Sequence, residues 1–549
     1  MTDCLEGSTQ LSELPPGDNG RDSDERSLDG YSRKMMKPKR PLGAFKIAWI
    51  LALGVLYGCS PETGKNPMPK PPVSASTAAE KTAAPPSLVV VISLDTLRAD
   101  HLGMYGAKRF TSPTLDQFAD GGTVFTDASS TSPWTLPAHA SMLTGLYPVE
   151  HRVMRFDSAL PEDVGSLALT LKQNGYQTAA VVNSSWLKRE PFRLTRDFEE
   201  YLFVEDTMDR RAPNTWITDQ AISWIQGRGP QPLFLFVHYY DVHADYASLP
   251  EYESLFVTPY EGPVDGTAWQ LATTTFEDDF LEMCHAEYDP SKCRIGTLEN
   301  YLAVNSSVEK LELEDQDVQH LEQLYDAGIR QLDTELGRLL SVIEEEGLDQ
   351  NGLVVITSDH GEEFMDHGRM DHFLTVYQEI LHVPMIFRGR AIPEKLRIDT
   401  PVSLVDIAPT ILSIAGLPVD EDIDGLDLMP LMTGEPSSLF QNRFLYGEAA
   451  GGLSYALMMD NIYPIYRSVR RGRYKLIHDS KKERSWLYDL TEDPGETRDI
   501  SKEHPEVASQ LLKEMMHRHS DSNFNPSEKD KVNLDSKDLE QLRALGYIR

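Results

Sequence analysis

Four short runs of nearly uninterrupted apolar residues punctuate the chain: Leu88-Val-Val-Val-Ile-Ser-Leu94, Thr178-Ala-Ala-Val-Val182, Leu233-Phe-Leu-Phe-Val237 and Leu353-Val-Val-Ile-Thr357. Runs of this length without polar alternation predict strands buried on both faces, as in a parallel sheet covered by helices. Between the last two, Val318, Leu321, Tyr325, Ile329, Leu332, Leu336, Leu339 and Ile343 recur at helical spacing, and Gly347 supplies a stop before the next strand. The pattern is that of an α/β body over residues 88–450. Beyond it come short mixed segments, among them Tyr474-Lys-Leu-Ile477 and Trp486-Leu-Tyr-Asp-Leu490. They predict a smaller C-terminal α+β region over residues 451–549, with a polar helix through Leu511 and a tail containing Leu542-Arg-Ala-Leu-Gly-Tyr547.

The N-terminus follows a different logic. Met35-Met-Lys-Pro-Lys-Arg40 supplies positive charge, Ile47 to Tyr57 is apolar, and Gly58-Cys59-Ser60 ends the run. A basic stretch, an apolar core and a small residue at the cut describe an export signal, and the run is short of the roughly 20 residues that span a bilayer. Leu56-Tyr-Gly-Cys59 resembles a bacterial lipobox, which implies cleavage before Cys59, lipid on its sulfur and a place on the cell envelope, periplasmic or outer. An ordinary secretion signal, or a short membrane anchor with a chance cysteine, is the plainer alternative. The signal occupies residues 35–59, and the polar residues 1–34 read as a disordered lead or an over-long start. Residues 60–87, rich in Pro, Ala, Ser, Thr and Lys, read as a flexible tether between the lipid and the folded body.

Composition narrows the function. The 549 residues are 40% hydrophobic and 25% charged, ordinary for a globular protein, but 86 acidic against 52 basic side chains leave a net charge of −34. That field argues against a nucleic-acid partner, which needs clustered Lys and Arg. An anionic substrate would have to be held locally, by metal or histidine. Beyond Cys4 and Cys59 the cysteines are Cys284 and Cys293, whose close spacing in an exported chain suits a disulfide closing a small loop. Zinc binding with His285 and unpaired thiols stay open as alternatives.

Three of the apolar runs lead directly into ligand or acid-base residue types: Ser93-Leu-Asp95, His238-Tyr-Tyr-Asp-Val-His243 and Ser358-Asp-His360. The carboxyl ends of parallel strands share one edge of the sheet, so these groups are expected to converge. A fourth constellation is Pro133-Trp-Thr-Leu-Pro-Ala-His139, where Pro137 suits a first helical turn and puts Thr135 at or just before a helix N-terminus. Taken alone, Asp95 reads equally as a turn residue and Thr135 as an N-cap. Taken together, they describe a hydroxyl that a metal could hold for attack on an anionic ester.

Asp95 after the first strand, the Thr-x-Pro-x-His block ending Leu143-Thr-Gly145, and Thr357-Ser-Asp-His-Gly-Glu-Glu-Phe364 resemble the sulfatase family of the alkaline phosphatase superfamily. So do His372, Val383-Pro-Met-Ile386, Val402-Ser-Leu-Val-Asp-Ile-Ala-Pro409 and the C-terminal Tyr488-Asp-Leu-Thr-Glu-Asp-Pro-Gly-Glu496. The resemblance covers residues 88–549 and implies an α/β fold: a large mixed, mostly parallel sheet between helices, with a smaller C-terminal α+β subdomain. It also implies one divalent ion, Ca, Mn, Zn or Mg, with Asp95, Asp359, His360 and the Thr135 oxygen matching its ligands. Thr135 matches the nucleophile, His139 stands where sulfatases usually place Arg, and His243 and His372 match positions that handle the ester or its leaving group. The departures point further. Sulfatases of the standard kind carry Cys or Ser that becomes formylglycine, and two adjacent Asp after the first strand; here the residues are Thr135 and Asp95-Thr96. Both resemble branches with a direct threonine nucleophile that act on phosphate esters, phosphonates or phospholipid head groups. The expected activity is metal-dependent hydrolysis of sulfate or phosphate esters. The alternatives are a head-group transferase of the envelope and an inactive glycan-binding relative.

Overall fold

The computed structural model describes residues 85–549, apart from 156, 206–211, 269, 272–310, 436, 450–465, 481, 520–528 and 533–549. The export signal with Cys59, nearly all of the tether, the Cys284 and Cys293 pair and the C-terminal tail lie outside the described residues.

Every residue of β1 (Leu88–Leu94) is buried, as its unbroken apolar run requires. It lies between β6 (Leu353–Ser358) and β5 (Leu233–Tyr239), parallel to both. Outward from β5 come β3 (Gln177–Val182) and β4 (Glu200–Phe203). Outward from β6 come β9 (His382–Gly389), β2 (Thr123–Ser129) and β10 (Leu396–Ile398), with β11 (Val402–Ser403) also on β2, completing a nine-stranded sheet. Among the described strands of this sheet β9 alone runs antiparallel to its neighbours. The cause is local. After β6 the chain makes an excursion at the carboxyl edge, including the small hairpin β7 (Glu363–Phe364) and β8 (Met370–Asp371), and returns without a crossover helix.

The period of two along a strand sorts the two faces. Leu88, Val90 and Ile92 pack with Leu321, Tyr325, Leu332, Leu336 and Ile343 of the helix Asp315–Glu345, the predicted amphipathic stripe. Val89 and Val91 face the other way, toward Leu136, Met142 and Leu143 of the helix Thr135–Thr144, in which every residue is buried. A second, antiparallel sheet follows: β12 (Phe444–Ala449), β13 (Tyr466–Arg471), β14 (Tyr474–Asp479) and β15 (Arg484–Asp489). One of its faces carries Val469, Leu476 and Leu487 against Leu511 and Met515 of the helix Pro505–Arg518. The other face carries Ile477 and Tyr488 against Val376, Ile380 and Leu381, the segment that leads into β9. The C-terminal sheet thus packs on the excursion at the carboxyl edge of the main sheet.

Candidate active site

Register places the site. Leu94 of β1 pairs with Tyr239 of β5 and Ser358 of β6, so Asp95 and Asp359, each one residue beyond, emerge side by side. Asp95, Asp359 and His360 are fully buried, and the atoms they offer as ligands lie within 4.8 Å of one another. Nε2 of His360 is 3.7 Å from Asp95 Oδ1 and 3.4 Å from Asp359 Oδ2. The backbone fixes which atoms point inward. Asp359 Oδ1 accepts from the N–H groups of His360, at 2.9 Å, and Thr96, at 3.3 Å. His360 Nδ1 faces the Gly361 carbonyl at 2.9 Å, so it carries the proton and leaves a lone pair on Nε2.

Apart from the Thr135 hydroxyl, which can also donate, the atoms turned into this space are acceptors. Both Asp95 oxygens, Asp359 Oδ2, His360 Nε2 and Thr135 Oγ1 are buried and lack a well-formed hydrogen bond. Acceptors facing acceptors are satisfied only by a cation or by protons. Burial pushes Asp95 up to about 8, and burial together with Asp95 raises Asp359 well above the usual carboxylate range. Burial holds His360 far below the ordinary imidazole value. Two carboxylates, an imidazole and a hydroxyl, buried and gathered together, fit a divalent ion.

Thr135 opens the helix Thr135–Thr144, following Trp134 in extended conformation, so its hydroxyl sits at the positive end of the helix. Proximity of that hydroxyl is among the influences that lower Asp95 against the dominant effect of burial. His139, one turn on, has both ring nitrogens in use: Nδ1 meets Thr135 O at 2.8 Å and Nε2 meets Ser93 Oγ at 2.8 Å. Burial, then His238, keeps it far below the ordinary value. It is a neutral strut joining the helix to β1.

His372 and His243 form the far side. Nδ1 of His372 lies 2.8 Å from Asp371 Oδ1 and 3.1 Å from Glu362 Oε1. Burial opposes its charge, but these two carboxylates win and raise it well above the ordinary value. His243 donates Nδ1–H to Ala244 O at 2.7 Å, and burial, then His372, lowers it to about 3. The His372 ring is 4.6 Å from that of His360 and 4.8 Å from that of His243. The structure thus gathers Asp95, Thr135, His139, Asp359 and His360 at one point, with His372 and His243 beside them.

Three further residues stand at the site, of which the sequence pattern singled out His238 without giving it a role and assigned nothing to Glu362 or Asp371. His238 Nε2 stands 3.2 Å from Asp95 Oδ2, and His238 follows Phe234 and Phe236 on the side of β5 that faces the helix Thr135–Thr144. Its placement was implicit in the period of two. Glu362 and Asp371, the carboxylates on His372, carried no comparable local signal.

Gly361 shows how tightly the segment after β6 is held. Its N–H donates to Ile380 O at 2.7 Å, and a Cβ there would lie 2.0 Å from Glu379 O. Gly361→Ala is expected to lower stability by about 1–3 kcal/mol, measured by thermal unfolding, since backbone rather than a side chain must move. An unchanged midpoint would show that the two segments separate freely.

Comparison with known proteins adds an independent line. A family model described as Sulfatase matches residues 87–417, and one described as N-sulphoglucosamine sulphohydrolase, C-terminal, matches residues 365–521. Arylsulfatase K of Bos taurus is 24% identical over 461 residues, covering 78% of this chain and 80% of that protein. N-acetylglucosamine-6-O-sulfatase of Bacteroides thetaiotaomicron is 25% identical over 520 residues, covering 83% and 90%. Among solved structures, a complex with its substrate D-glucosamine-2-N,6-O-disulfate superposes with a TM-score of 0.62 at 20% identity, covering 81% of this chain and all (100%) of that one. A phosphonate monoester hydrolase from Silicibacter pomeroyi reaches 0.59 at 20% identity, covering 81% and 99%. These two share the fold.

Proposed function

Since this chain belongs to the sulfatase family of ester hydrolases, we propose that it is a metal-dependent hydrolase of sulfate or phosphate esters in which Thr135 is the attacking group. The observation that carries the reading is the set of inward-facing acceptors, Asp95, Asp359 Oδ2 and His360 Nε2, with the unsatisfied Thr135 hydroxyl beside them. Asp95, Asp359, His360 and Thr135 Oγ1 would hold one divalent ion. The carboxylates and hydroxyl suit calcium or magnesium, and the imidazole suits manganese or zinc. Such an ion supplies Lewis acidity to the ester oxyanion and favours ionisation of the hydroxyl next to it.

The chain's own residues account for the remaining steps. Thr135 Oγ1 forms the new bond to sulfur or phosphorus as the ester oxygen leaves, and helix N–H groups oppose the negative charge there. His139 holds this turn to β1 through Thr135 O and Ser93. His372, charged between Asp371 and Glu362, gives its Nε2 proton to the departing oxygen, while neutral His243 has no proton to give from Nε2. Water then cleaves the threonyl ester and regenerates the hydroxyl. A threonine cannot enter the formylglycine route of Cys and Ser, so the cycle runs on the unmodified side chain.

The test is turnover of an aryl sulfate, an aryl phosphate and a phosphodiester by the soluble protein, before and after chelation. Activity on at least one of them, lost on chelation and restored by a divalent ion, is expected. Turnover of none by metal-loaded protein would sink the proposal.

A further inference from the structure

The segment that carries His372 is anchored from outside the main sheet. On one flank, the Gln378 N–H donates to Glu496 Oε2 at 2.6 Å, and Lys475 Nζ donates to Gln378 Oε1 at 3.1 Å. On the other, His367 donates Nε2–H to Glu496 O at 3.3 Å and pairs through Nδ1 with Glu379 Oε1 at 2.6 Å, its ring stacked on Tyr377. Lys475 and Glu496 close the arrangement with a contact of 2.9 Å, at exposures of only 2% and 1%. One residue beyond the C-terminal sheet thus ties both flanks of the segment. Lys475 reaches it from β14, on the same face as Ile477, which packs on Ile380 and Leu381.

We infer that Lys475 and Glu496 are a positioning pair for His372, so that the C-terminal sheet takes part in the reaction by aiming its proton donor. The inference rests on the reading of His372 as that donor. Cohesion alone is a poor explanation for the pair. Burying two charges costs several kcal/mol per ion before their attraction is counted, and apolar residues of similar volume often hold such an interface as well or better. What a charged, hydrogen-bonded pair adds is direction: Glu496 Oε2 and Lys475 Nζ grip the N–H and side chain of Gln378, on the C-terminal flank of His372, and in doing so fix the Glu496 backbone whose carbonyl holds His367 on the other flank.

The test is the double variant Lys475→Met/Glu496→Leu, which removes both charges together, beside His372→Asn. Each is assayed with a nitrophenyl and an unactivated alkyl ester of the oxyanion that the wild-type protein turns over. The double variant is expected to unfold within a few degrees of wild type and to keep KM within about twofold. Its kcat should fall by about tenfold to a hundredfold on the alkyl ester and little on the nitrophenyl ester, whose leaving group needs no proton. No loss, or an equal loss on both esters, overturns the positioning pair. A selective loss in His372→Asn without one in the double variant overturns the pair and leaves the donor intact. An equal loss on both esters in His372→Asn removes the donor reading itself, and the pair with it. Should the double variant not fold, Glu496→Gln, which keeps an acceptor for Gln378 but strips Lys475 of its counter-charge, is read on the same two esters with the same outcomes.

Discussion

Thr135→Ala is expected to give a folded protein whose turnover has fallen by about ten-thousandfold or more, the scale on which removing a nucleophile acts. The separation between stability and chemistry follows from the site. Thr135 Oγ1 is buried and makes no well-formed hydrogen bond in the fold, and its nearness to Asp95 is a minor influence beside burial, so its removal costs the fold little. The helix keeps its first turn through backbone bonds, and His139 keeps the Thr135 carbonyl, which alanine also has. Thermal unfolding should therefore shift little while kcat collapses. Thr135→Ser, which restores a hydroxyl at the same place, should recover a measurable part of the rate. Retention of activity by the alanine variant would mean that another group or water attacks, and the threonine mechanism would be wrong.

Metal-free protein is expected to lose stability as pH rises from about 6.5 to about 8, and a divalent ion should restore it. Burial lifts Asp95 from 3.8 in an ordinary setting to about 8, so across this window the folded form holds a proton that the unfolded chain has already released. Its contribution is complete below the unfolded value and vanishes as pH passes the folded one. Asp359 and His372 are shifted in the same direction. The neutral histidines act oppositely: burial lowers His238 from 6.5 to about 3, so its effect is confined to the acid side of 6.5. A cation replaces the missing proton, and at a hundredfold excess over Kd the gain is about 2.7 kcal/mol. Thermal midpoints measured against pH, with chelator and then with calcium or manganese, read this directly. Asp95→Asn should flatten the metal-free slope and abolish the metal response. A wild-type midpoint indifferent to every divalent ion at pH 8 would remove Asp95, Asp359 and His360 as a metal centre.

Much of this arrangement is legible in the sequence. The unbroken apolar runs at Leu88, Leu233 and Leu353 became central strands because a strand covered on both faces has no polar face to show. Parallel neighbours then carried Asp95 and Asp359 to one edge. The stripe from Leu321 to Ile343 formed a helix for the same kind of reason, a repeated local demand for burial. The antiparallel β9 was not legible, because its direction depends on how the excursion after β6 closes rather than on its own composition.

The sequence by itself determined the buried strands, the long helix and the residues standing at the strand ends. Hydrophobic burial is written into neighbouring positions at a fixed period, so it can be read locally. Tertiary structure alone decided that His139 is a neutral strut, that Asp371 and Glu362 charge His372, and that Glu496, far along the chain, ties both flanks of the segment carrying it. Hydrogen bonds and ion pairs depend on ångström distances between residues that no periodicity relates, and those distances exist only once the sheets have packed.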